Sequence, residues 1–278
     1  MEKKRVSSAA VMTALTLVAL CLVLITATYA WFTFDPYTNV TPMEGKISKG
    51  DANLLISESR DGPFGKECPL NPADFAQELR PVSTADLAGF YTSIAQNREG
   101  YSVAFQDVSG KLGQYLIHGT VYLQCQEGSC DVFFQPQGQE VGGDAQVLAA
   151  GRLGLKITGA DNKSSVFLFK LDSLGSTDGA QQRQTVQTEN AVIAGIDAGG
   201  AASFVTDPAL SLTDYRQDAA NAKKLLSLAS EEIAQVEYWL YLEGCDDACF
   251  NPVQSQNLSL QLAFSGKSTT DAAAAEGQ

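Results

Sequence analysis

Histidine is almost absent from this chain, since His118 is the one histidine among 278 residues. A zinc protease motif with two histidines on one helix therefore cannot exist here. A Ser-His-Asp or Cys-His site would have to use His118, which lies inside the strand-like run 115–121, and no Gly-x-Ser-x-Gly sequence accompanies it. Walker-type and GxGxxG nucleotide loops are also missing. We therefore expect neither an enzyme nor a bound cofactor.

Basic residues are scarce as well. The chain has 19 Lys and Arg against 32 Asp and Glu, and without residues 1–30 the counts become 19 − 3 = 16 and 32 − 1 = 31, a net charge of −15. Beyond the N-terminal segment no basic patch is present, and such a patch is the minimal requirement of a nucleic-acid binder. The composition excludes nucleic acid as a partner and predicts an acidic, soluble surface.

Charge is missing entirely from Val11 to Ala30, and this apolar run follows the basic residues 3–5. A basic start, an apolar run and small residues at positions −3 and −1, here Thr28 and Ala30, are what a signal peptidase recognises. We predict that this run forms an apolar signal or anchor helix ahead of the folded domain, with cleavage between Ala30 and Trp31. The alternative is an uncleaved membrane anchor, because about 20 apolar residues can span a bilayer. In either case the folded part lies outside the cell, in the extracellular space or at the cell surface.

Most of the remaining chain consists of short apolar runs with turn residues between them. Leu153, Leu155 and Ile157 alternate with polar or small residues, and the segment 258–264 does the same, which is typical of half-buried strands. Further strand candidates are Asn53–Ser57, Tyr101–Phe105, Gln114–Gln124, Asp131–Gln135, Phe167–Leu171, Ala191–Ile196 and Val236–Glu243. The pattern predicts an all-β fold, a jelly-roll-like β-sandwich over residues 52–264.

Two segments have a helical pattern. Residues 73–79 follow Asn71 and Pro72 and precede another proline, and residues 218–234 have apolar positions at helical spacing. We expect both to be short helices that decorate the sandwich. Residues 31–51 are predicted to be an N-terminal strand and linker. The segment 265–278 contains almost no large apolar residue and is expected to be a disordered tail.

Five cysteines remain once the cysteine of the N-terminal run is set aside. Cys125 and Cys130 flank a four-residue turn, and Cys245 and Cys249 close a second turn, so each pair could be bridged. We predict two local disulfides and a spare thiol at Cys68. The alternative is a zinc site made of the four paired cysteines, although neither pair has the usual two-residue spacing.

Three carboxylates lie around the second cysteine turn, namely Glu243, Asp246 and Asp247. Carboxylate oxygens suit calcium, so this turn is a weak candidate for a calcium site. The alternating ligand positions of a calcium loop are absent, and a solvated acidic turn is the simpler interpretation.

Both ends of the chain resemble a known group of proteins. The junction 27–33, Ala-Thr-Tyr-Ala-Trp-Phe-Thr, resembles the signal region of proteins processed by a SipW-type signal peptidase, among them the camelysin and TasA-type matrix proteins of Gram-positive spore formers. The segment 238–249, Tyr-Trp-Leu-Tyr-Leu-Glu-Gly-Cys-Asp-Asp-Ala-Cys, resembles a strand-and-turn pattern of related clostridial surface proteins. The resemblance implies secretion, a jelly-roll sandwich and, for matrix members, assembly into fibres. It also implies the metallopeptidase label attached to camelysin, which the single histidine disfavours.

An aromatic segment stands at the start of the expected mature chain, with Trp31, Phe32 and Phe34 followed by an Asp-Pro tether. In the matrix proteins such a strand can complete the sheet of a neighbouring subunit. The alternative is that it pairs within its own subunit.

We therefore expect an exported structural protein of the cell surface or extracellular matrix. Its expected partners are a signal peptidase and further copies or related matrix subunits, and it meets the membrane only through its N-terminal segment. The competing functions are a ligand-binding surface adhesin and a camelysin-like metallopeptidase.

Overall fold

A computed structural model describes residues 38–40, 43–47, 53–96, 102–134, 142–143, 145–171, 191–206, 224–246, 248–249, 256–259 and 261–269. All of them belong to one compact unit of the chain, Pro36–Gln278. They are mostly β-strand with two short helices, which confirms the all-β class. No helix among these residues is both long and apolar enough to cross a membrane. The predicted N-terminal apolar helix lies outside the described residues.

The described residues form twenty strands. Their bounds are β1 Thr38–Val40, β2 Glu44–Ile47, β3 Leu54–Ser57, β4 Glu67–Pro69, β5 Asp74–Phe75, β6 Glu78–Leu79, β7 Pro81–Val82, β8 Tyr91–Gln96, β9 Ser102–Asp107, β10 Ile117–Cys125, β11 Ser129–Phe134, β12 Gly142–Gly143, β13 Gly151–Thr158, β14 Ser164–Lys170, β15 Val192–Ile196, β16 Ala202–Val205, β17 Lys224–Leu228, β18 Ile233–Glu243, β19 Gln256–Ser259 and β20 Gln261–Thr269. The helices are a 3-10 helix at Ser109–Gln114 and α1 at Ala145–Ala150.

The largest sheet, sheet I, has the strand order β14-β13-β18-β10-β3. The long strand β18 is antiparallel to both of its neighbours, with Leu240 opposite Ile117 on one side and Leu153 on the other. The short strand β5 extends the sheet beside β10, and β7 runs parallel to the end of β18. Because β18 lies at the centre, most of its hydrogen-bonding groups are satisfied within the sheet.

The second sheet, sheet II, has the order β17-β11-β20-β2-β4. Its strand β2 runs parallel to β20, from Glu44 opposite Gln261 to Ile47 opposite Phe264, and antiparallel to β4. A smaller sheet has the order β12-β19-β1-β6, in which β1 runs parallel to β19. The first described strands therefore pair with the last ones.

Sheets I and II share one apolar core. Leu153, Leu155 and Ile157 are buried on the inner face of sheet I, as their alternation predicts. Phe134 of sheet II stacks on Phe169 of sheet I with ring centroids 4.8 Å apart. Burial of one such large apolar side chain contributes about 1.5–3 kcal/mol, so this interface is the main source of stability.

One half of the outer face of sheet I is also buried. Residues 81–96 and 102–116, together with the hairpin β15–β16, are called the cover here. An apolar cluster joins the first two ranges to the sheet and contains Val82, Leu87, Phe90, Val108, Leu116, Leu168, Trp239 and Tyr241. The hairpin packs through Ile193 against Phe105 and Cys245. A Cβ atom on Gly154 would lie 2.6 Å from Leu87, so a glycine allows the cover to approach this closely. A strand buried on both faces has no polar alternation, which explains the continuous apolar run at the end of β18.

Both predicted helices are wrong where the structure describes them. The segment 73–79 contains the strands β5 and β6, because its backbone bonds to neighbouring strands, as in the 3.2 Å bond from Ala76 N–H to the Leu116 carbonyl. The described part of 218–234 forms β17, a turn and the start of β18. The turn uses Glu231 at a φ of 63°, a conformation for which the sequence offers no glycine.

The predicted disordered tail begins too early. Strand β20 continues to Thr269 because residues 265–269 pair with β11. The rest of the predicted tail lies outside the described residues. Strands β1 and β2 lie within the segment 31–51 that was predicted as N-terminal strand and linker.

Candidate functional site

A buried charge centre lies where β18 ends beneath the cover. Successive side chains of a strand point to opposite faces, so Tyr241 and Glu243 both face outward from the core toward the cover. The turn that follows is closed by bonds from Asp246 N–H to the Glu243 carbonyl, 3.0 Å, and from Cys249 N–H to the Asp246 carbonyl, 2.9 Å. Oδ1 of Asp246 accepts the N–H of Ala248 at 2.9 Å, which fixes this carboxylate inside the turn.

The cation of the centre is Arg152, which stands opposite Tyr241 in the pairing of β13 with β18 and is fully buried. Its Nη2 donates to Oδ2 of Asp246 at 2.5 Å, and its Nη1 donates to the carbonyls of Ala149 and Gly151 at 2.8 and 3.1 Å. Burial acts to lower the pKa of Arg152, but the two carboxylates outweigh it and the net shift is upward. The guanidinium therefore stays charged.

Glu243 is the second carboxylate of the centre and is 1% exposed. Its Oε1 accepts the Cys245 N–H at 3.0 Å, and it is also hydrogen-bonded to the hydroxyl of Ser83. Burial raises the pKa of Glu243 to about 7, while Arg152 and these hydrogen bonds act in the opposite direction. The guanidinium of Arg152 thus interacts with two carboxyl groups, those of Asp246 and Glu243. Because its pKa is raised, Glu243 takes up a proton near neutral pH.

Two polar atoms of the centre have no hydrogen-bond partner among the described residues, namely Nε of Arg152 and Oη of Tyr241. Phe90 of the cover packs edge-on against Tyr241, with ring centroids 5.9 Å apart. An unpaired buried polar atom costs about 1–3 kcal/mol. The charges of Arg152 and Asp246 therefore compensate each other, but two polar atoms of the centre lack a hydrogen bond within the described residues.

The two predicted disulfides are not present in the structure. All five described cysteines are free and buried: Cys68, Cys125, Cys130, Cys245 and Cys249. The Sγ of Cys125 instead lies 3.7 and 3.6 Å from the carbonyl oxygens of Glu127 and Gly128 in its turn. These contacts give the thiol hydrogen a partner within the turn.

The thiols are also poorly suited to chemistry. Burial raises the pKa of Cys68 to about 11, and burial together with Cys125 raises that of Cys130 to about 12. The pKa values of Cys245 and Cys249 are raised as well, mainly by burial. The thiolate is the form that attacks substrates and binds metals, so these four thiols are poor nucleophiles near neutral pH. Within the described parts of the chain no group of three or more His, Cys, Asp or Glu is placed to hold a metal ion.

The carboxylates assigned to calcium have another role in the structure. Asp246 binds Arg152, and Glu243 is enclosed between Arg152, Ser83 and the backbone of the turn. These two carboxylates are therefore buried beside an arginine and are not solvated. Asp247 lies outside the described residues.

His118 lies in β10, as its strand-like surroundings predict. Its Nδ1 is 3.1 Å from Oδ2 of Asp74, and its ring stacks on Trp239 with centroids 4.9 Å apart and planes 16° from parallel. This arrangement orients the imidazole ring at the rim of the cover. The side chains of His118 and Asp74 are about a quarter and a third exposed, respectively.

An open, shallow pocket lies next to this pair. It is lined by Ala76, Gln77, Glu78, Arg80, Gly113, Gln114 and Tyr115. A bond from Arg80 N–H to the Tyr115 carbonyl, 2.9 Å, joins its two walls. The lining is polar and includes both charge signs, so it suits a small polar ligand better than an apolar one.

Several residues singled out in the sequence lie outside the described residues. These are the expected cleavage pair Ala30 and Trp31 and the aromatic positions Phe32 and Phe34. Conversely, sequence reasoning missed Arg152 and Ser83. The alternation of β13 correctly predicts that Arg152 lies on the face opposite to Leu153. The sequence of this strand does not show that the cover buries that face.

Comparisons of the chain with protein-family models, with curated proteins and with solved structures found no match.

Proposed function

We propose that this chain is an exported structural protein of the cell surface or extracellular matrix, built as a jelly-roll sandwich and assembled through its N-terminal strands. The observation that carries the proposal is the place of β2 in sheet II. This strand fills an interior position between the edge strand β4 and the central strand β20, although it comes from the start of the described chain.

The slot that β2 fills is narrow. A Cβ atom on Gly45 would lie 2.8 Å from Cδ1 of Ile56 and 3.2 Å from Sγ of Cys68. The neighbouring Ile47 is buried in the shared core opposite Phe264. Without β2, both β4 and β20 would expose unpaired backbone groups, which is the situation that favours strand addition from another chain.

The partner of β2 on one side, β20, is remote in sequence, and a strand with such a partner can be exchanged between two copies of a chain, as in domain swapping. The aromatic residues Trp31, Phe32 and Phe34 precede β1 and β2 in the sequence. Each of them would contribute about 1.5–3 kcal/mol if it were buried against a neighbour. Together these features support assembly through the N-terminal region.

The chemistry of the described residues supports a structural role over a catalytic one. The buried charge centre is enclosed by the cover, its thiols are protonated, and His118 is engaged with Asp74 and Trp239. A metallopeptidase of the camelysin type would need ligands beyond the single histidine of the chain.

The proposal is tested with the chain 31–278 and a matched chain 35–278 that lacks the aromatic segment. We expect filaments or a concentration-dependent rise in light scattering from the first and a folded monomer from the second. Removal of residues 270–278 serves as the control, since it deletes a segment without aromatic residues and should leave assembly unchanged. Equal polymerisation of both chains would contradict strand donation, and N-terminal sequencing of the exported protein should begin at Trp31.

The open pocket beside His118 supports a second candidate, a ligand-binding adhesin. Its polar lining offers Arg80 and Glu78, whose charged groups lie 3.9 Å apart. Retention of the protein on immobilised glycans or host proteins, reduced at least tenfold by Arg80→Ala, would favour this function. Retention that Arg80→Ala leaves unchanged would exclude the pocket as the site.

A further inference from the structure

Ser83 connects the cover to the end of β18. It follows β7, which is held to sheet I by the 2.8 Å bond from Gly244 N–H to the Val82 carbonyl. Its own backbone exchanges two bonds with Tyr91, and its hydroxyl oxygen accepts the Ile193 N–H of the hairpin β15–β16 at 3.1 Å. Two separate parts of the cover therefore meet at one buried hydroxyl group.

Ser83 also contacts Glu243, so the cover touches the charge centre at a titratable group. The charged and titratable groups that surround Glu243 are Arg152 from β13, Tyr241 from β18, and Cys245, Asp246 and Cys249 from the turn. Tyr241 and the two thiols stay protonated and uncharged near neutral pH, because burial raises their pKa values. The balance is therefore one guanidinium against two carboxyl groups, and the centre is neutral when Glu243 carries a proton.

We propose that Glu243 is a proton-operated clamp: its protonated form holds the cover closed on sheet I, and loss of the proton loosens β7 and the hairpin β15–β16. The mechanism is electrostatic. The ionised group leaves one carboxylate without a cation in a site that excludes water, and opening of the cover returns it to solvent.

The direction of the pH dependence follows from the two states. In the closed state the pKa of Glu243 is about 7, and in the opened state it returns toward its ordinary value of 4.5. Protonation therefore favours the closed state. The opening equilibrium should rise with pH between these two values, by about 300-fold in total, and become constant at higher pH.

Hydrogen exchange tests this proposal, because two amide hydrogens report the contacts of the clamp. These are the Ile193 N–H bonded to Ser83 and the Gly244 N–H bonded to Val82. After correction for the intrinsic pH dependence, we expect both to lose protection between pH 5 and pH 8, while amides in the β10–β18 ladder keep theirs. In Glu243→Gln, which imitates the protonated form, protection should be equal at both pH values.

Glu237→Gln is the matched control, since Glu237 lies on the outer face of the same strand but binds Lys156 at the surface. It should retain the pH effect of the unmodified protein. If Glu243→Gln does not fold, the carboxyl ¹³C signal of Glu243 in the unmodified protein decides the matter, and a titration midpoint near 4.5 would overturn the proposal. Unchanged protection of Ile193 and Gly244 across the pH range would overturn it as well.

Discussion

Two ion pairs whose cations lie on the same face of sheet I differ mainly in their exposure to solvent. Arg152 and Asp246 are 2.5 Å apart, with side chains 0% and 3% exposed, whereas Lys156 and Glu237 are 3.0 Å apart, with side chains 41% and 24% exposed. Both cations come from β13, four residues apart. The cover ends between them, so one pair lies in an apolar interior and the other meets solvent.

We expect the surroundings of an ion pair, more than its distance, to set the free-energy cost of losing one partner. Water screens the exposed pair and can replace either partner. In the buried pair each charge has already lost its hydration, so it depends on the other charge and on fixed hydrogen bonds. The two carbonyls bonded to Arg152 supply part of that compensation.

The largest effect should follow from removal of the buried cation. Arg152→Ala leaves the Asp246 carboxylate unpaired beneath the cover, and we expect a loss of about 3–5 kcal/mol in the free energy of unfolding. Urea denaturation measures this value. The double variant Arg152→Met, Asp246→Leu removes both charges and should recover most of the loss. A single-variant loss below about 1 kcal/mol would show that the centre admits water.

The exposed pair should respond far less. Lys156→Ala is expected to cost about 0.2–1 kcal/mol, because Glu237 remains hydrated after its partner is lost. The same denaturation experiment, repeated at 1 M NaCl, should reduce the difference further, since salt screens surface charges. A loss as large as that of Arg152→Ala would mean that exposure does not distinguish the two pairs.

The smallest effect is expected within the buried centre itself. Oη of Tyr241 has no hydrogen-bond partner among the described residues, so Tyr241→Phe removes a buried polar atom without breaking a bond seen there. We expect stability to be unchanged or raised by up to about 1 kcal/mol. Thermal unfolding monitored by circular dichroism detects such a change. A loss above 1 kcal/mol would mean that the hydroxyl group is bonded in solution.

Most strands of sheet I were predictable from short apolar runs or from alternation, whereas β4 and β17 of sheet II were not. Leu153, Leu155 and Ile157 point into the core where their spacing indicates a half-buried strand. The turn around Glu231 was not predictable, because it uses a left-handed conformation without glycine, and the flanking residues therefore imitated a helix.

The charge centre was not predictable for a different reason. The centre is built from Ser83, Arg152 and Asp246, which lie far apart in the sequence and come together only in the folded protein. Acidic residues in a turn indicate solvent exposure unless a distant cation is known to join them. Local patterns carry no information about such a meeting.

The parallel pairing of β2 with β20 has a consequence for the time course of folding. Glu44 and Gln261 are neighbours in sheet II although most of the chain separates them. Contacts between residues so far apart in sequence form slowly, because closing the large loop between them costs conformational entropy before the contacts can contribute favourable free energy. Sheet II cannot be completed until β20 has been synthesised, so the nascent chain stays unfinished, with the edge of β2 unpaired, until the last strands arrive.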